Sequence, residues 1–357
     1  MLILGIETSC DETAAAVIRK DKGKTEVLSS VISSQIELHA QWGGVVPNLA
    51  AREHLKNILP VIESSLKEAK IRPQDLDLIA VTQGPGLIPA LLVGTNAAKT
   101  LSYVWDKPLI GIHHIEGHIY ANFIFDKIRS ISKQAKIKFP ILCLVVSGGH
   151  TQLVLMKKHL DYEIIGETLD DAAGEAFDKV ARILGKGYPG GPIISQMAKN
   201  FKQKKEAVEI KLPRPMIKSK DFNFSFSGLK TAVLYLVKNN PEKFKDEKFL
   251  EEAAYEFQQA AIDVLVGKTL KAIRKYNPQT VMMAGGVSVN QELRAQMEMA
   301  VKKDFPSVNF HLPEIKYTLD NAAMIAAAAA FRWENSEDKE RFFSGWKNLE
   351  ADANLKI

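Results

Sequence analysis

The same local pattern occurs twice in this chain, and it restricts the fold more than any other feature. Residues 2–7 read as a buried strand, followed by a polar turn over residues 8–13 and a second strand over residues 14–18. Residues 141–146 form a second apolar strand pattern that ends in a Ser-Gly-Gly turn and continues into residues 153–156. A strand, turn and strand at the start of each half predict a duplicated fold in which two hairpin tips grip a phosphate group.

The two predicted hairpin tips differ in chemistry. Asp11 and Glu12, in the first tip, could position a metal-bound or phosphate-bearing ligand, although ordinary solvated turn residues are the simpler interpretation. In the second tip, Ser147 precedes Gly148 and Gly149, which allow backbone N–H groups to approach an anion closely. A plain tight turn is the alternative for this second tip.

The length and the charge pattern indicate two domains. A chain of 357 residues is expected to form two domains, at about 150 residues per domain. A basic segment over residues 127–138 links the two halves. We therefore expect an N-terminal domain over residues 1–133 and a C-terminal domain over residues 134–330. The polar residues 331–357 are expected to pack on the outside.

Composition excludes several classes of protein. The two cysteines, Cys10 and Cys143, are too few for a disulfide framework and suit a reducing cytosol. The chain runs directly into a strand pattern without a basic lead, and its longest apolar run, residues 322–331, is too short to span a bilayer. We therefore expect a cytoplasmic protein without a membrane segment. A net charge of +5 permits an anionic partner without requiring one.

Two histidines, His114 and His118, follow the apolar strand pattern of residues 108–112. At a spacing of four on a helix their imidazoles lie on the same face and can share one cation. A pair of partly buried histidines at a helix start fits the spacing equally well. A zinc protease would place its glutamate directly after the first histidine, whereas Glu116 lies about 200° around the helix from His114. The spacing therefore argues against a protease.

Three further residues are candidate ligand contacts, each with a structural alternative. Asp178 could face a ligand hydroxyl or be a solvated helix carboxylate. The double-glycine turn over residues 284–290, which ends at Asn290 and opens a helix, can receive a flat nucleoside against its backbone. Asp320 precedes an alanine-rich helix, where helix capping is a serious alternative.

Two segments suggest contact with a nucleic acid. A second basic tract lies between residues 199 and 220, and together with the first it could track a phosphate backbone. Lysine-rich surface more often serves only solubility. Residues 222–226 alternate phenylalanine with polar residues, a pattern that fits strand packing or base stacking.

These motifs resemble one family nearly end to end, the universal tRNA threonylcarbamoyladenosine transferases, formerly called O-sialoglycoprotein endopeptidases. The matching motifs are residues 5–13 (GIETSCDET), 43–47 (GGVVP), 114–118 (HIEGH), 146–152 (VSGGHTQ), 169–179, 189–192 (PGGP), 225–230 (SFSGLK), 284–290 (AGGVSVN) and 319–321 (LDN). His150 makes the sequence look bacterial or organellar, and the lack of a transit-peptide pattern favours bacterial.

The resemblance implies an α/β, actin/Hsp70/sugar-kinase-like fold of two duplicated RNase H-like domains, with the active site in the cleft between them. It implies one divalent metal per subunit, Fe2+ or Zn2+, held by His114, His118 and Asp320. Asp11 and Glu12 match acidic residues near the reacting group and are the candidate catalytic residues. The implied substrate-binding residues are Val145, Val146, Ser147, Gly148, Gly149, Asp178, Gly191 and Asn290.

The implied reaction transfers threonylcarbamoyl from threonylcarbamoyl-AMP to the exocyclic amine of the adenosine 3′ of the anticodon in ANN-decoding tRNAs, releasing AMP. The implied partners are tRNA, a smaller inactive paralogue that forms a dimer with this chain, and a small P-loop ATPase. One rival is an ATPase or carbohydrate kinase of the same fold, which needs no pair of metal-binding histidines. Another is a non-catalytic scaffold for nucleotide and tRNA, for which metal loss would abolish no chemistry.

Overall fold

The structure, a computed structural model, describes residues 1–21, 23–125 and 137–357. The strands of this part of the chain are β1 (Leu2–Glu7), β2 (Glu12–Asp21), β3 (Lys24–Ser34), β4 (Leu78–Gly84), β5 (Leu109–His113), β6 (Ile141–Val146), β7 (Thr151–Lys158), β8 (Asp161–Glu167), β9 (Thr280–Ala284) and β10 (Asn309–His311). The α-helices are α1 (Ile36–Ala40), α2 (Pro47–Ala69), α3 (Ile88–Trp105), α4 (His114–Tyr120), α5 (Ala173–Ile183), α6 (Gly190–Lys204), α7 (Ser227–Lys238), α8 (Glu247–Tyr276), α9 (Gln291–Asp304), α10 (Ala322–Asn335) and α11 (Gly345–Asn348).

The strands form two five-stranded sheets with the same topology. In the first sheet the order is β3-β2-β1-β4-β5, with β1, β2 and β3 antiparallel and β4 and β5 parallel to β1. In the second sheet the order is β8-β7-β6-β9-β10, and each pair repeats the direction of its counterpart in the first. The duplicated α/β fold expected from the two strand–turn–strand patterns is confirmed.

The chain divides into two compact units, but not at the expected boundaries. Unit 1 comprises the described residues of Met1–Lys136 together with Leu312–Ile357, and unit 2 comprises Ile137–His311. The expected C-terminal domain ran to residue 330, whereas residues 312–330 belong to unit 1. The reason is that α10 packs against β1, β2 and α4 of that unit. A Cβ on Gly5 of β1 would lie 2.2 Å from the carbonyl oxygen of Ala322, so glycine is what allows this approach.

The parallel strands of unit 1 position the candidate site. Because β1, β4 and β5 are parallel, their carboxyl ends lie at the same edge of the sheet, where open α/β sheets place their ligands. Glu7 ends β1, Thr82 lies near the end of β4, and α4 starts at His114 directly after β5. Residues that are far apart in sequence therefore meet at this edge.

The polar C-terminal segment packs on unit 1. Lys99 on α3 donates to the carbonyl oxygen of Leu349 at 3.0 Å, and the N–H of Asp352 donates to the carbonyl oxygen of Gln83 at 2.9 Å. These contacts hold the segment along β4, β5 and α3.

The basic segments take different places. Of the first basic segment, residues 127–138, residues 127–136 lie outside the part of the chain that the structure describes. In the second tract Lys204 pairs with Glu251 at 2.5 Å, and Arg214 pairs with Glu256 and Asp263 of α8. Part of the basic charge is therefore neutralised within unit 2.

The alternating phenylalanines do not form a strand. Phe224 makes only an isolated bridge to Thr168, and the side chains of Phe222, Phe224 and Phe226 are buried. The base-stacking interpretation of this segment is wrong, because the aromatic faces are already covered by the core. Among the helices of the described residues, we find none that combines the length and the apolar composition needed to cross a bilayer.

Candidate functional site

Two histidines and an aspartate of unit 1 lie close enough to bind one metal ion. His114 and His118 are one turn apart on α4, with ring centroids separated by 4.6 Å. Asp320, in the turn before α10, places Oδ1 3.2 Å from His118 Nε2 and 3.6 Å from His114 Nε2. One potential ligand atom from each residue lies within 4.8 Å of the others. The structure thus brings together the three residues of the implied metal set.

His118 shows that this cluster suits a cation. Its side chain is fully buried, its Nδ1 makes no hydrogen bond to a described residue, and its Nε2 faces the Asp320 carboxylate at 3.2 Å. A cation held between Nε2 and this carboxylate would compensate for the burial of both groups. Two imidazoles and one carboxylate form a donor set that both iron(II) and zinc accept. The residues present therefore fit either ion implied by the resemblance.

Asp320 is available for this role because a neighbour caps the helix. The side chain of Asn321 accepts the Met324 N–H at 3.0 Å, so Asn321 is the N-cap residue of α10. The capping alternative for Asp320 is therefore wrong. Gly117 allows α10 to approach α4 closely, since a Cβ there would lie 2.8 Å from Ile325 Cδ1.

The charges around His114 favour a positive group at this position. Burial opposes a charge on the ring, but the carboxylates of Asp320 and Glu7 raise the pKa of His114 to about 9. Burial raises the pKa of Glu7, but the adjacent His114 lowers it. The net result is a pKa of Glu7 below its usual range. For His118, burial lowers the pKa. A metal ion and a proton compete for the same nitrogen, because a histidine binds metal only when that nitrogen is deprotonated.

The candidate catalytic acids lie at the first turn, near the same charges. Asp11 is buried, whereas Glu12 begins β2 and is partly exposed. Ser34 donates to Glu12 Oε1 at 3.3 Å. Burial, together with the negative charges of Asp320 and Asp11, raises the pKa of Glu12 to about 10.

Glu116 faces away from the histidine pair. Its carboxylate is fully buried and accepts hydrogen bonds from Arg332 of α10 at 2.8 and 3.0 Å. A glutamate held in this way cannot activate water on a metal at His114 and His118. The geometry therefore supports the sequence argument against a zinc protease.

The implied adenylate contacts lie in unit 2, and the first group surrounds the end of β6. Val145 and Val146 are buried in this strand, and Ser147 is buried just after it, whereas Gly148 and Gly149 are exposed. The carbonyl oxygens of Ser147 and Gly148 accept the N–H groups of Gly174 and Glu175 at the start of α5, both at 3.2 Å. These two hydrogen bonds hold the Ser147–Gly148 turn against the start of α5.

The other implied contacts are joined by side-chain hydrogen bonds. Asp178 Oδ1 accepts the Gly190 N–H at 2.7 Å, which holds the start of α6 and hence Gly191. Asp178 is therefore more than a solvated carboxylate. The amide of Asn290 donates to Ser195 of α6 at 2.9 Å and to Gln258 of α8 at 2.8 Å, and its oxygen caps α9.

Sequence reasoning missed Glu7 as a neighbour of the metal cluster. It assigned Glu7 to the end of a buried strand, but the structure places its carboxylate 3.1 Å from His114 Nδ1. Glutamate is almost never fully buried without a partner. An acidic residue that ends an otherwise apolar strand was therefore the signal that could have identified it.

Comparisons with known proteins identify relatives of this chain. Relatives include the tRNA N6-adenosine threonylcarbamoyltransferase of Bacillus subtilis (strain 168), which is 49% identical and aligns over 99% of this chain and 96% of its own. The enzyme of the same name from Persephonella marina (strain DSM 14350 / EX-H1) is 46% identical over 100% of this chain and 98% of its own.

A solved structure shares the fold. Full-length HypF in its phosphate- and nucleotide-bound form matches with a TM-score of 0.56 at 12% identity, over 94% of this chain and 47% of the HypF chain. This likeness shows that the two chains share a fold, and, together with the repeated sheet topology and the family match that follows, it confirms the expected actin/Hsp70/sugar-kinase-like class. The family model for tRNA N6-adenosine threonylcarbamoyltransferase matches residues 26–327. This chain belongs to the tRNA N6-adenosine threonylcarbamoyltransferase family.

Proposed function

We propose that this chain transfers threonylcarbamoyl from threonylcarbamoyl-AMP to the exocyclic amine of the adenosine 3′ of the anticodon in ANN-decoding tRNAs, releasing AMP. Family membership supports this reaction. The single structural observation that carries it is the cluster of His114, His118 and Asp320, in which the buried Nε2 of His118 faces the carboxylate of Asp320 at 3.2 Å. A carbohydrate kinase or ATPase of the same fold class has no need for such a cluster.

We assign His114, His118 and Asp320 as the ligands of one divalent ion, Fe2+ or Zn2+. When bound, the ion supplies Lewis-acid stabilisation of the charge that develops on the carbamoyl oxygen. The protein holds the two imidazoles in place by burial, since both histidine side chains are at least nine-tenths covered.

The proposed adenylate contacts are Val145, Val146, Ser147, Gly148, Gly149, Asp178, Gly191 and Asn290. A Cβ on Gly148 or Gly149 would meet no atom within 4 Å, so the backbone of this turn is open to a ligand. The 15-residue helix α6 starts at Gly190, and Asp178 holds its first N–H. Backbone N–H groups at a helix N-terminus favour an anion such as the adenylate phosphate.

The transfer forms a bond from the amine nitrogen to the carbamoyl carbon and breaks the bond from that carbon to the phosphate oxygen. AMP leaves with the bonding electrons, and the amine proton passes to a base. We propose Asp11 or Glu12 for this base. With its pKa raised to about 10, Glu12 carries a proton at neutral pH and can accept the amine proton only after its own proton has left, for example when a bound cation lowers that pKa. An unpaired anticodon-loop base could reach these groups without disruption of a duplex.

The remaining assignments extend the same proposal. Exposed lysines of the tract between residues 199 and 220, such as Lys199, Lys211 and Lys218, are candidates to contact the tRNA backbone. We propose that the enzyme acts in the cytoplasm with a smaller inactive paralogue and a small P-loop ATPase, which follows from the family resemblance.

The deciding experiment measures transfer of labelled threonylcarbamoyl from its adenylate to an unmodified ANN-decoding tRNA, with the proposed partners present. The wild type should form metal-dependent product, and His114→Ala should form none. His159→Ala is the matched control, because His159 lies in unit 2 on the hairpin of β7 and β8 and packs on Phe139. It should retain wild-type transfer.

The alternatives give different results in the same assay. Steady ATP hydrolysis or sugar phosphorylation without tRNA product would replace this proposal by a kinase-like function. Transfer that persists after complete metal removal would refute the role of the cluster and favour a scaffold role for this chain. Asp11→Ala and Glu12→Gln in single-turnover reactions identify the base, since the variant that binds the adenylate normally but slows the transfer step has lost it.

A further inference from the structure

The buried carboxylate of Glu7 contacts the side of the His114 ring that faces away from Asp320. Glu7 is fully buried, and its Oε2 lies 3.1 Å from His114 Nδ1. The hydroxyl of Thr82 donates to the same oxygen at 2.6 Å, and the N–H of Ser9 donates to Oε1 at 2.5 Å. Both oxygens are engaged, so the carboxylate is held in one orientation.

This contact selects one tautomer of His114. A carboxylate only accepts hydrogen bonds, so the Nδ1 beside Glu7 must carry the proton of the neutral ring. The lone pair is then on Nε2, the nitrogen that faces Asp320 at 3.6 Å. The hydroxyl of Ser9 also lies 3.2 Å from Nδ1, but a hydroxyl can donate or accept and therefore selects neither tautomer.

We infer that Glu7 is a positioning residue that fixes the tautomer and the ring orientation of His114 for metal binding. This inference rests on the proposed metal site and assigns to Glu7 no contact with metal or substrate. The Glu7 carboxylate, at the end of β1, acts on the metal site through His114. The hydroxyl of Thr82 and the N–H of Ser9 hold that carboxylate in place. Partners of this kind typically change metal affinity about 10- to 100-fold when they are removed.

The substitution Glu7→Gln separates this role from simple packing, because glutamine has nearly the same shape. If its amide oxygen faced Ser9, its NH2 group would face His114 Nδ1 and favour the tautomer with the proton on Nε2, which leaves no lone pair on the nitrogen that faces Asp320. If its oxygen faced His114 instead, the NH2 group would meet the N–H of Ser9, donor against donor. Either arrangement penalises the metal-binding form of His114.

The first measurement is the dissociation constant for Zn2+, obtained on the full chain by competition with a chromophoric chelator. We expect Glu7→Gln to weaken binding by about 10- to 100-fold. Ser9→Ala should bind close to wild type, because Glu7 remains as acceptor for Nδ1. Glu256→Gln is the matched control, since Glu256 is a buried glutamate of unit 2 that pairs with Arg214 instead of a ligand histidine. It should lose stability but keep its affinity for zinc.

The second measurement observes the tautomer directly by NMR of 15N-histidine in the zinc-loaded wild type. We expect His114 with a protonated Nδ1 that couples to its hydrogen and with zinc on Nε2. A merely structural role for Glu7 would not predict this state. If zinc is bound through Nδ1, or if Glu7→Gln binds zinc like the wild type, the inference is overturned. This measurement decides the matter even if Glu7→Gln does not fold.

Failure of the proposed function gives a different result. If the wild type binds no Zn2+, or if binding is unaffected in His118→Ala, then the proposed metal site itself is refuted. If the wild type binds Zn2+ and Glu7→Gln binds it with the same affinity, only the role of Glu7 is overturned.

Discussion

Arg332 of α10 forms a forked ion pair with the fully buried carboxylate of Glu116 on α4, through hydrogen bonds of 2.5 to 3.0 Å. Glu116 lies between the two histidines in sequence, and Asp320 lies just before α10. The ion pair therefore ties the helix that carries His114 and His118 to the helix that follows Asp320. The local sequence around Glu116 does not indicate this pairing, because Arg332 lies 216 residues further along the chain.

Loss of this ion pair should destabilise unit 1. Arg332→Met leaves a buried carboxylate without its cation, a change that costs about 3–5 kcal/mol when both partners are buried. Because the side chain of Arg332 is 39% exposed, we expect a smaller loss of about 2–3 kcal/mol in the free energy of unfolding. Urea denaturation followed by circular dichroism measures it. Arg52→Met, at an exposed position of α2, should change stability by less than about 0.5 kcal/mol. Equal losses in the two variants would contradict the prediction.

Gly5→Ala should disturb the approach of α10 to β1. The new Cβ would lie 2.2 Å from the Ala322 carbonyl oxygen and 3.0 Å from Ala326 Cβ, so the helix must shift. We expect a loss of about 1–3 kcal/mol and weaker zinc binding, because Asp320 immediately precedes this helix. Gly228→Ala is the control, since a Cβ there meets nothing within 4 Å. Wild-type stability in Gly5→Ala would show that the helix adapts without cost.

His54 should make the stability of unit 1 fall in acid. It is fully buried, with Nδ1 2.8 Å from Thr13 Oγ1 and Nε2 3.0 Å from the Cys10 carbonyl oxygen. Burial lowers the pKa of His54 although the Cys10 hydrogen bond opposes the shift. The unfolded chain therefore binds more protons below the usual histidine pKa of about 6.5. The contribution of neutral His54 to the free energy of unfolding is therefore fully present above that pH and is lost as the pH falls.

The measurement for His54 compares unfolding free energies at pH 7.5 and pH 5.5. The wild type should lose more stability over this interval than His54→Gln, which has no titrating ring at this position. Because both proteins retain every other histidine, the difference between the two slopes isolates His54. A steeper slope in His54→Gln would have the wrong sign and would refute the argument.

Metal binding should raise the thermal stability of the protein. At a concentration 100 times the dissociation constant, a ligand specific for the folded state stabilises it by about 2.7 kcal/mol. For a unit of this size, that corresponds to an increase of roughly 5–11 °C in Tm. Differential scanning calorimetry of chelator-treated protein, before and after addition of Zn2+, tests this. His118→Ala should show no increase, whereas His159→Ala should respond like the wild type.

Local periodicity was enough to predict several elements. The predicted strands over residues 2–7 and 141–146 are β1 and β6. The spacing of His114 and His118 placed both imidazoles on one face of a helix, and the structure places them there. These properties depend on neighbours within one or two turns, so the sequence determines them directly.

Contacts between distant residues were decided only by the tertiary structure. Asp320 joins the two histidines across some two hundred residues, and before the structure only the family resemblance connected them. Three further features depend on how α10 packs against α4 and β1: the return of residues 312–330 to unit 1, the pairing of Glu116 with Arg332 and the position of Glu7 behind His114. Side-chain periodicity shows which face of an element is apolar, but it does not name the element that covers that face. The choice is made by packing of the whole unit, where a single glycine such as Gly5 sets the distance between a helix and a strand.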